Sequence, residues 1–239
     1  MKAVFLSDAH LIRERGKNYL DVLDFLDRSK WELSHLFIVG DFFDFWFCDS
    51  GNFYPEFGKM IDKLLELKKA GTAVALFEGN HDFFMTDFFE RYGIQVFPDD
   101  AVVDLEGKKC FISHGDRIDT SNKGYLLLRR ILRSSTFYKI QKITPSNVLW
   151  RIAAVSSRTS KNYFAKPPEG LIKKMRSFAL KKFEKNIDAV ILGHTHEALM
   201  EEYSINGSSR IFVLLGDWIN RYSYLSYKNG QFQLMRYNG

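Results

Sequence analysis

Five short polar clusters carry the residue types needed for metal chemistry: Asp8-Ala9-His10, Gly40-Asp41-Phe42-Phe43-Asp44, Gly79-Asn80-His81-Asp82, Ser113-His114-Gly115-Asp116 and Gly193-His194-Thr195-His196. Imidazole, carboxylate and amide oxygen together suit Mn²⁺, Fe²⁺ or Zn²⁺, and the absence of thiolate sets the group apart from a cysteine site. Asp8, His10, Asp41, Asn80, His114, His194 and His196 outnumber the four ligands of a tetrahedral zinc. They suit two divalent ions about 3.5–4 Å apart that share a carboxylate. Such a pair clamps phosphoryl oxygens and lowers the pKa of a water held in line with a leaving group. Phosphoryl transfer is catalysed largely by electrostatic stabilisation, so a phosphoester is the substrate class that this density of ligands predicts.

Each cluster directly follows an apolar run, which predicts how it is positioned. The runs are Ala3–Leu6, Leu36–Val39, Ala73–Phe77, Cys110–Ile112 and Ala189–Leu192. Fully apolar runs of this length read as strands covered on both faces. Ligands gather beyond the carboxyl ends of such strands, so the clusters should converge on one crevice. Between the strands, Tyr19, Val22, Phe25 and Leu26 recur at helical spacing, as do Phe57, Met60, Ile61, Leu64, Leu65 and Leu67 ahead of Gly71. The alternation predicts an α/β fold with helices on the sheet faces. Short strands follow at 101–105 and 108–113, and later at 188–192, 198–204, 209–215, 222–227 and 231–237, with Asn206-Gly207 and Asn229-Gly230 as turns. Asp82 and Asp116 read as turn-forming partners of their loops. Gly216-Asp217-Trp218 follows a sixth apolar run and reads as structural, and neither His35 nor Cys48 is assigned a role.

Between His114 and His194 the composition changes. Residues 121–185 hold sixteen Lys/Arg against two acids, Glu169 and Glu184, whereas the rest of the chain holds 18 bases against 27 acids. Helical patterns run over 125–133, 135–143, 147–155 and 169–184. We therefore divide the chain into a core, 1–120 and 186–239, and an inserted basic helical cap, 121–185. Charge concentrated in this way points to an anionic substrate or an anionic surface. The segment's many apolar residues serve packing and, in part, an apolar pocket. At 239 residues and 46% apolar content, the chain can bury a sizeable core. No run of about 18 apolar residues predicts a membrane span. The opening residues read as a first strand rather than a signal peptide. Cys48 and Cys110 form no disulfide framework, which fits a reducing compartment and a cytoplasmic protein.

Asp-x-His, Gly-Asp-x-x-Asp, Gly-Asn-His-Asp, a lone His and Gly-His-x-His, in this order, resemble the calcineurin-like metallophosphoesterase superfamily. The resemblance implies an αββα four-layer sandwich. It implies Asp8, His10, Asp41 and His196 on one metal, and Asp41, Asn80, His114 and His194 on the other. It also implies that His81 stabilises or protonates the reacting phosphate group and that Asp44 orients His81. Independently, His81 is surplus to the coordination count, and a histidine of pKa about 6.5 can donate a proton.

Over almost the whole length, the chain further resembles the pyrophosphatase family that cleaves UDP-2,3-diacylglucosamine in lipid A biosynthesis. The residues that carry this are Asp41–Trp46, His114-Gly115-Asp116 with Asn122–Tyr125, and Arg151–Ala154 with Arg158–Lys161. The family implies hydrolysis to UMP and 2,3-diacylglucosamine 1-phosphate with two divalent ions, typically manganese. By position, Asn80, Tyr125, Arg158, Ser160, Lys161, Lys166 and His194 would contact the nucleotide-activated diacylated sugar. The insert suits that substrate. Arginine and lysine meet a diphosphate, and an apolar slot gains about 0.8 kcal/mol per buried methylene. A basic, aromatic-rich cap also suits contact with the anionic inner-membrane surface without spanning it. The chain departs from the family at His81, where arginine is frequent, and at Asn122, where an acid is frequent; Arg158 aligns only with a one-residue shift. Histidine at position 81 is equally at home in superfamily members that act on another nucleotide diphosphate or phosphodiester. Nucleic-acid binding by the insert is the alternative from another class. No zinc-finger or RNP pattern supports it, so no stable nucleic-acid partner is expected and no obligate protein partner is inferred.

Overall fold

The structure, a computed structural model, describes residues 2–30, 32–47, 53–145, 147–151 and 170–239. Two sheets stack between helices. The first has the strand order β11-β10-β1-β2-β3-β4, formed by β1 (Lys2–Leu6), β2 (His35–Val39), β3 (Ala73–Phe77), β4 (Gln95–Phe97), β10 (Ser223–Lys228) and β11 (Gln231–Arg236). The second has the order β5-β6-β7-β9-β8, formed by β5 (Asp100–Leu105), β6 (Lys108–Ser113), β7 (Ala189–Leu192), β8 (Ala198–Ile205) and β9 (Ser208–Leu215). β1, β2, β3 and β4 run parallel, as do β6, β7 and β9.

The pleat explains why the runs before the clusters are continuously apolar. Ala3, Phe5, Phe37, Val39, Ala75 and Phe77 face the other sheet and meet Cys110, Ile112, Ala189, Ile191, Val213 and Leu215. Their neighbours Val4, Leu6, Leu36, Ile38, Val74 and Leu76 face outward beneath α1 (Lys17–Ser29) and α2 (Gly58–Lys69). Successive side chains on a strand point to opposite faces, so a strand buried on both sides needs no polar position.

One helix differs from its expected place. α5 (Leu171–Phe183), assigned to the cap by its charge, buries Leu171, Met175, Ala179 and Phe183 at a four-residue spacing against Phe111, Val190, Leu192, Phe212 and Leu214. It is the outer layer of the second sheet. Its lysines and arginines occupy the solvent side of an ordinary amphipathic helix, where charge does not report domain membership.

Of the insert's described residues, α3 (Lys123–Leu132) and α4 (Ser135–Ile143) stand off the sandwich, and between them they bury only Gln141. Their basic residues dock them on acids of the core. Arg129 bridges Asp116 (2.7 Å) and Asp99 (2.8 Å), and Lys142 reaches Asp87 (3.1 Å). The charge asymmetry is thus partly an internal interface. No described helix is long and apolar enough to cross a membrane.

Candidate active site

The polar clusters sit where the parallel strands of both sheets end. β1 delivers Asp8 and His10, β2 Asp41, β3 Asn80 and His81, β6 His114, and β7 His194 and His196. The chain turns sharply at these positions. Asp8, His10, Asp41, His194 and His196 all have left-handed backbone, with φ between 45° and 71°. That region is sparsely populated by residues other than glycine, and Asp, Asn and His tolerate it best. Gly79 and Gly193 allow the loops to meet: a Cβ on Gly79 would lie 2.2 Å from Asp41 Oδ1, and one on Gly193 2.1 Å from Ser7 Oγ.

Three groups of potential ligands result, with donor atoms within 4.8 Å in each: Asp8, His10 and His196; Asp41, His114 and His194; and His10, Asp44 and His81, which shares His10 with the first. The first two match the ligand groups expected from the sequence. Asn80 Oδ1 joins the second, 3.1 Å from His114 Nε2. Asp41 Oδ2 lies between them, 3.4 Å from His114 Nε2 and 3.8 Å from His10 Nε2. Its other oxygen accepts the His81 backbone N–H at 2.8 Å, which holds the carboxylate in that pose.

Three of the four ligand rings have a polar group behind them. His114 Nδ1 donates to the Val39 carbonyl (3.1 Å), which directs Nε2 inward. His196 Nδ1 is hydrogen-bonded to Asp217 Oδ2 (3.3 Å), whereas His10 Nδ1 lies 3.3 Å from Asp44 Oδ1 as a charge contact without hydrogen-bond geometry. Such partners set the tautomer and raise ligand basicity. Asp8 is fixed by the Ser7 hydroxyl and by the His194 N–H (2.9 Å), both to Oδ2. Asp82 accepts N–H groups from Asp41 (2.8 Å), Phe42 (2.7 Å), Phe43 (3.1 Å) and Gly79 (3.0 Å), clamping one ligand loop to another.

The electrostatics of the bare site are polarised. Burial resists charge on Asp41, but His114 and His81 beside it hold its pKa well below the usual carboxylate range. Burial likewise opposes protonation of His114, yet the Asp41 carboxylate holds it up at about 10. Burial, reinforced by His114, pushes His194 down to about 4. The donor atoms are chemically those of a divalent-metal site. Asp8 Oδ1 and His10 Nε2 are buried without a hydrogen-bond partner among the described residues. An unsatisfied buried acceptor costs about 1–3 kcal/mol, more when charged, and a cation is what these two atoms could share. The residues fit metal.

The site opens on a cavity of about 890 Å³ that includes His81, Asn80, Asp116 and Tyr125. The His81 ring packs edge-on against His10 at 4.8 Å. The orienting role expected of Asp44 is divided: its backbone carbonyl accepts from His81 Nδ1 (3.1 Å), whereas its carboxylate faces His10. The Tyr125 hydroxyl and Arg129 Nε both donate to Asp116 Oδ2 (2.7 Å each), so the carboxylate expected to shape its own turn instead anchors the cap. Arg158, Ser160, Lys161 and Lys166 lie outside the described residues. Asp217, read from sequence as structural, is the missed residue. Its signal was position, since it follows an apolar strand as the other clusters do, but no histidine accompanies it.

Residues 1–198 match the family model described as calcineurin-like phosphoesterase. The chain is 30% identical over 228 residues to the UDP-2,3-diacylglucosamine hydrolase of Pseudomonas aeruginosa, covering 91% of each chain. It is 32% identical over 223 residues to the protein of that name from Neisseria gonorrhoeae, covering 92% of this chain and 90% of the relative. Among solved structures, a novel archaeal phosphodiesterase matches with a TM-score of 0.49 and 16% identity over 98% of this chain and 99% of the other.

Proposed function

The chain belongs to the calcineurin-like phosphoesterase family and is a phosphoester or pyrophosphate hydrolase; from that premise we propose that it cleaves UDP-2,3-diacylglucosamine to UMP and 2,3-diacylglucosamine 1-phosphate. The observation that carries the substrate is the extent of similarity. Relatives bearing that name match over about nine-tenths of both chains, a span that must run through the insert as well as the core.

We assign one divalent ion to Asp8, His10, Asp41 and His196, and a second to Asp41, Asn80, His114 and His194, with manganese as the metal. When bound, such ions supply Lewis-acid stabilisation of phosphoryl oxygens and an acidified water. The chain's own residues do the rest. Asp41 holds the two ligand groups in register, Val39 and Asp217 fix the inward Nε2 atoms of His114 and His196, and the Asp44 carboxylate stands behind His10. His81, with Nδ1 committed to a carbonyl, presents Nε2 to the cavity as the atom that contacts or protonates the reacting phosphate group. Its pKa is lowered by burial, with the Asp41 carboxylate opposing. A phosphate dianion arriving beside it would favour the protonated ring. We assign Tyr125, on the cavity wall with its hydroxyl on Asp116, to the sugar or its phosphate.

We further propose a cytoplasmic protein that works at the inner-membrane surface. Leu127, Leu128, Ile131 and Ile143 of the cap are between 53% and 82% exposed, next to exposed Arg130. That combination suits acyl chains or an anionic lipid surface. Sedimentation with vesicles containing anionic lipid checks this, and recovery of all the protein in the supernatant would refute it.

The deciding assay is purified protein with UDP-2,3-diacylglucosamine and Mn²⁺, following release of UMP. Asp41→Ala is expected to abolish turnover while leaving the protein folded; manganese-dependent turnover in that variant would overturn the shared-ligand assignment. The second reading, another nucleotide diphosphate or a phosphodiester, is favoured by His81. Hydrolysis of a chromogenic phosphodiester without release of UMP from the lipid substrate would select it.

A further inference from the structure

The cavity is not confined to the metal ligands and the cap. It continues on their other side, past His196, between the loop after β9 and the far end of β11, where Ala198, Ile219, Asn220, Arg221, Leu234 and Arg236 line it. Strand order separates the two wings. The cap and Asp116 lie on the β3 and β6 side, whereas β10 and β11 continue the first sheet beyond β1. Pairing of Phe5 with Leu225 and of Ser223 with Arg236 puts Arg236 level with the ligand-bearing end of β1. Two strand spacings separate them, or about 10 Å, close to the reach of a nucleoside from its own phosphate.

We propose that this second wing binds the pyrimidine nucleoside 5′-phosphate half of the substrate, with the lipid half on the cap side. The inference rests on the nucleotide-sugar reading above and divides that substrate between the two wings. Ala198, Ile219 and Leu234 are half-buried and form an apolar floor for a flat base. Asn220, exposed at the rim, presents a side-chain donor beside an acceptor, the pair that an imide edge requires. Arg221 is tethered, donating to the His196 carbonyl (2.7 Å) and pairing with Glu197, so the rim is joined directly to a ligand loop. Arg236 adds positive charge on the strand side. Acyl chains have little to gain here. This wing offers four apolar side chains, Ala198, Ile219, Leu234 and Met235, set between Arg221 and Arg236, whereas the cap exposes Leu127, Leu128, Ile131, Ile140 and Ile143 on its two helices.

The test uses the full chain with Mn²⁺ and has two readouts besides turnover. Photo-crosslinking with 4-thiouridine 5′-monophosphate, mapped by peptide mass spectrometry, is expected to label the segment 219–221 or 234–236. Calorimetric titration with UMP is expected to show affinity reduced about ten-fold or more, about 1.4 kcal/mol, by Leu234→Trp, which fills the wing. Asn220→Ala, an exposed position, provides a second variant should the tryptophan prevent folding. Labels confined to 123–143, or UMP affinity unchanged in both variants, would overturn the proposal. Turnover of UDP-2,3-diacylglucosamine is measured in parallel. Turnover with the label elsewhere removes the wing assignment alone. A label in the wing without turnover supports the wing and removes the lipid substrate.

Discussion

Asp217→Asn separates orientation of a ligand from folding. Asp217 Oδ1 accepts the backbone N–H groups of Ile219 (3.0 Å), Asn220 (2.7 Å) and Arg221 (3.0 Å), while Oδ2 faces His196 Nδ1 at 3.3 Å. Burial works against the charged form, but His196 and these amides hold the Asp217 pKa at about 2, so it is ionised near neutral pH. Asparagine would keep its oxygen on the three N–H donors, because its NH₂ group cannot accept them. The NH₂ would then face His196 Nδ1 and force that nitrogen to accept. The ring proton would move to Nε2, the atom that looks toward Asp8 Oδ1 at 3.6 Å and is assigned to metal. Loss of such an orienting partner costs about 10–100-fold in metal affinity, or about 1.4–2.8 kcal/mol. Stability should change by less than about 1 kcal/mol, since no backbone donor loses its acceptor. Asp217→Ala is the contrast: it strips the acceptor from three amides and should cost about 3 kcal/mol of stability in addition. Calorimetric titration with Mn²⁺ and urea unfolding of both variants provide the two numbers. Wild-type manganese affinity in Asp217→Asn would refute the orienting role.

Three further outcomes follow from the same geometry. Asp82→Ala removes the acceptor of four N–H groups and should cost about 3–4 kcal/mol in urea unfolding; a loss below about 1 kcal/mol would contradict the clamp. Metal binding needs the His114 Nε2 lone pair, while the metal-free ring, its pKa raised to about 10, is protonated. Binding near pH 7.5 should therefore expel a proton, and affinity should rise about tenfold per pH unit below that value; heats identical in buffers of different ionisation enthalpy would argue against it. Arg133 donates to Glu78 (2.9 Å) and to the Gly79 carbonyl (2.6 Å), and Glu78 is 3% exposed, so Arg133→Met should cost about 3 kcal/mol at neutral pH. Burial already raises the Glu78 pKa, with Arg133 as the main opposing charge. Without Arg133 the folded value rises further, so stability is retained at low pH and lost as pH climbs through it. A loss of melting temperature that is equal at pH 5 and pH 8 would refute that linkage.

What could be read from the chain alone was whatever is local. Asp8, His10, Asp41, Asn80, His114, His194 and His196 each follow their strand within a few residues, so an apolar run beside a polar cluster announces them. Asp217 obeys the same rule, but its meaning comes from His196, which reaches it only because β9 pairs with β7. Asp44 was assigned by resemblance to His81, and the division of labour between its carbonyl and its carboxylate depends on how the 41–44 loop lies on His10. The cap boundary failed for a related reason. Charge counts along the chain do not record that Leu171, Met175, Ala179 and Phe183 share a buried face, nor that Glu78, Asp99 and Asp116 wait on the core for arginines of the insert. Periodicity held the first of these signals, and only tertiary structure the second.

The left-handed turns at Asp8, His10, Asp41, His194 and His196 restrict how this site can drift. β-Branched residues are strongly disfavoured there by their Cβ substituents, and glycine, asparagine, aspartate and histidine are the residues that fit with least strain. Asparagine at position 8 or 41 would keep the turn and much of the hydrogen bonding while discarding the charge that a metal needs. A lineage that gives up hydrolysis therefore has a short mutational path to an inert but folded scaffold, and asparagine or glycine at these positions would be its signature.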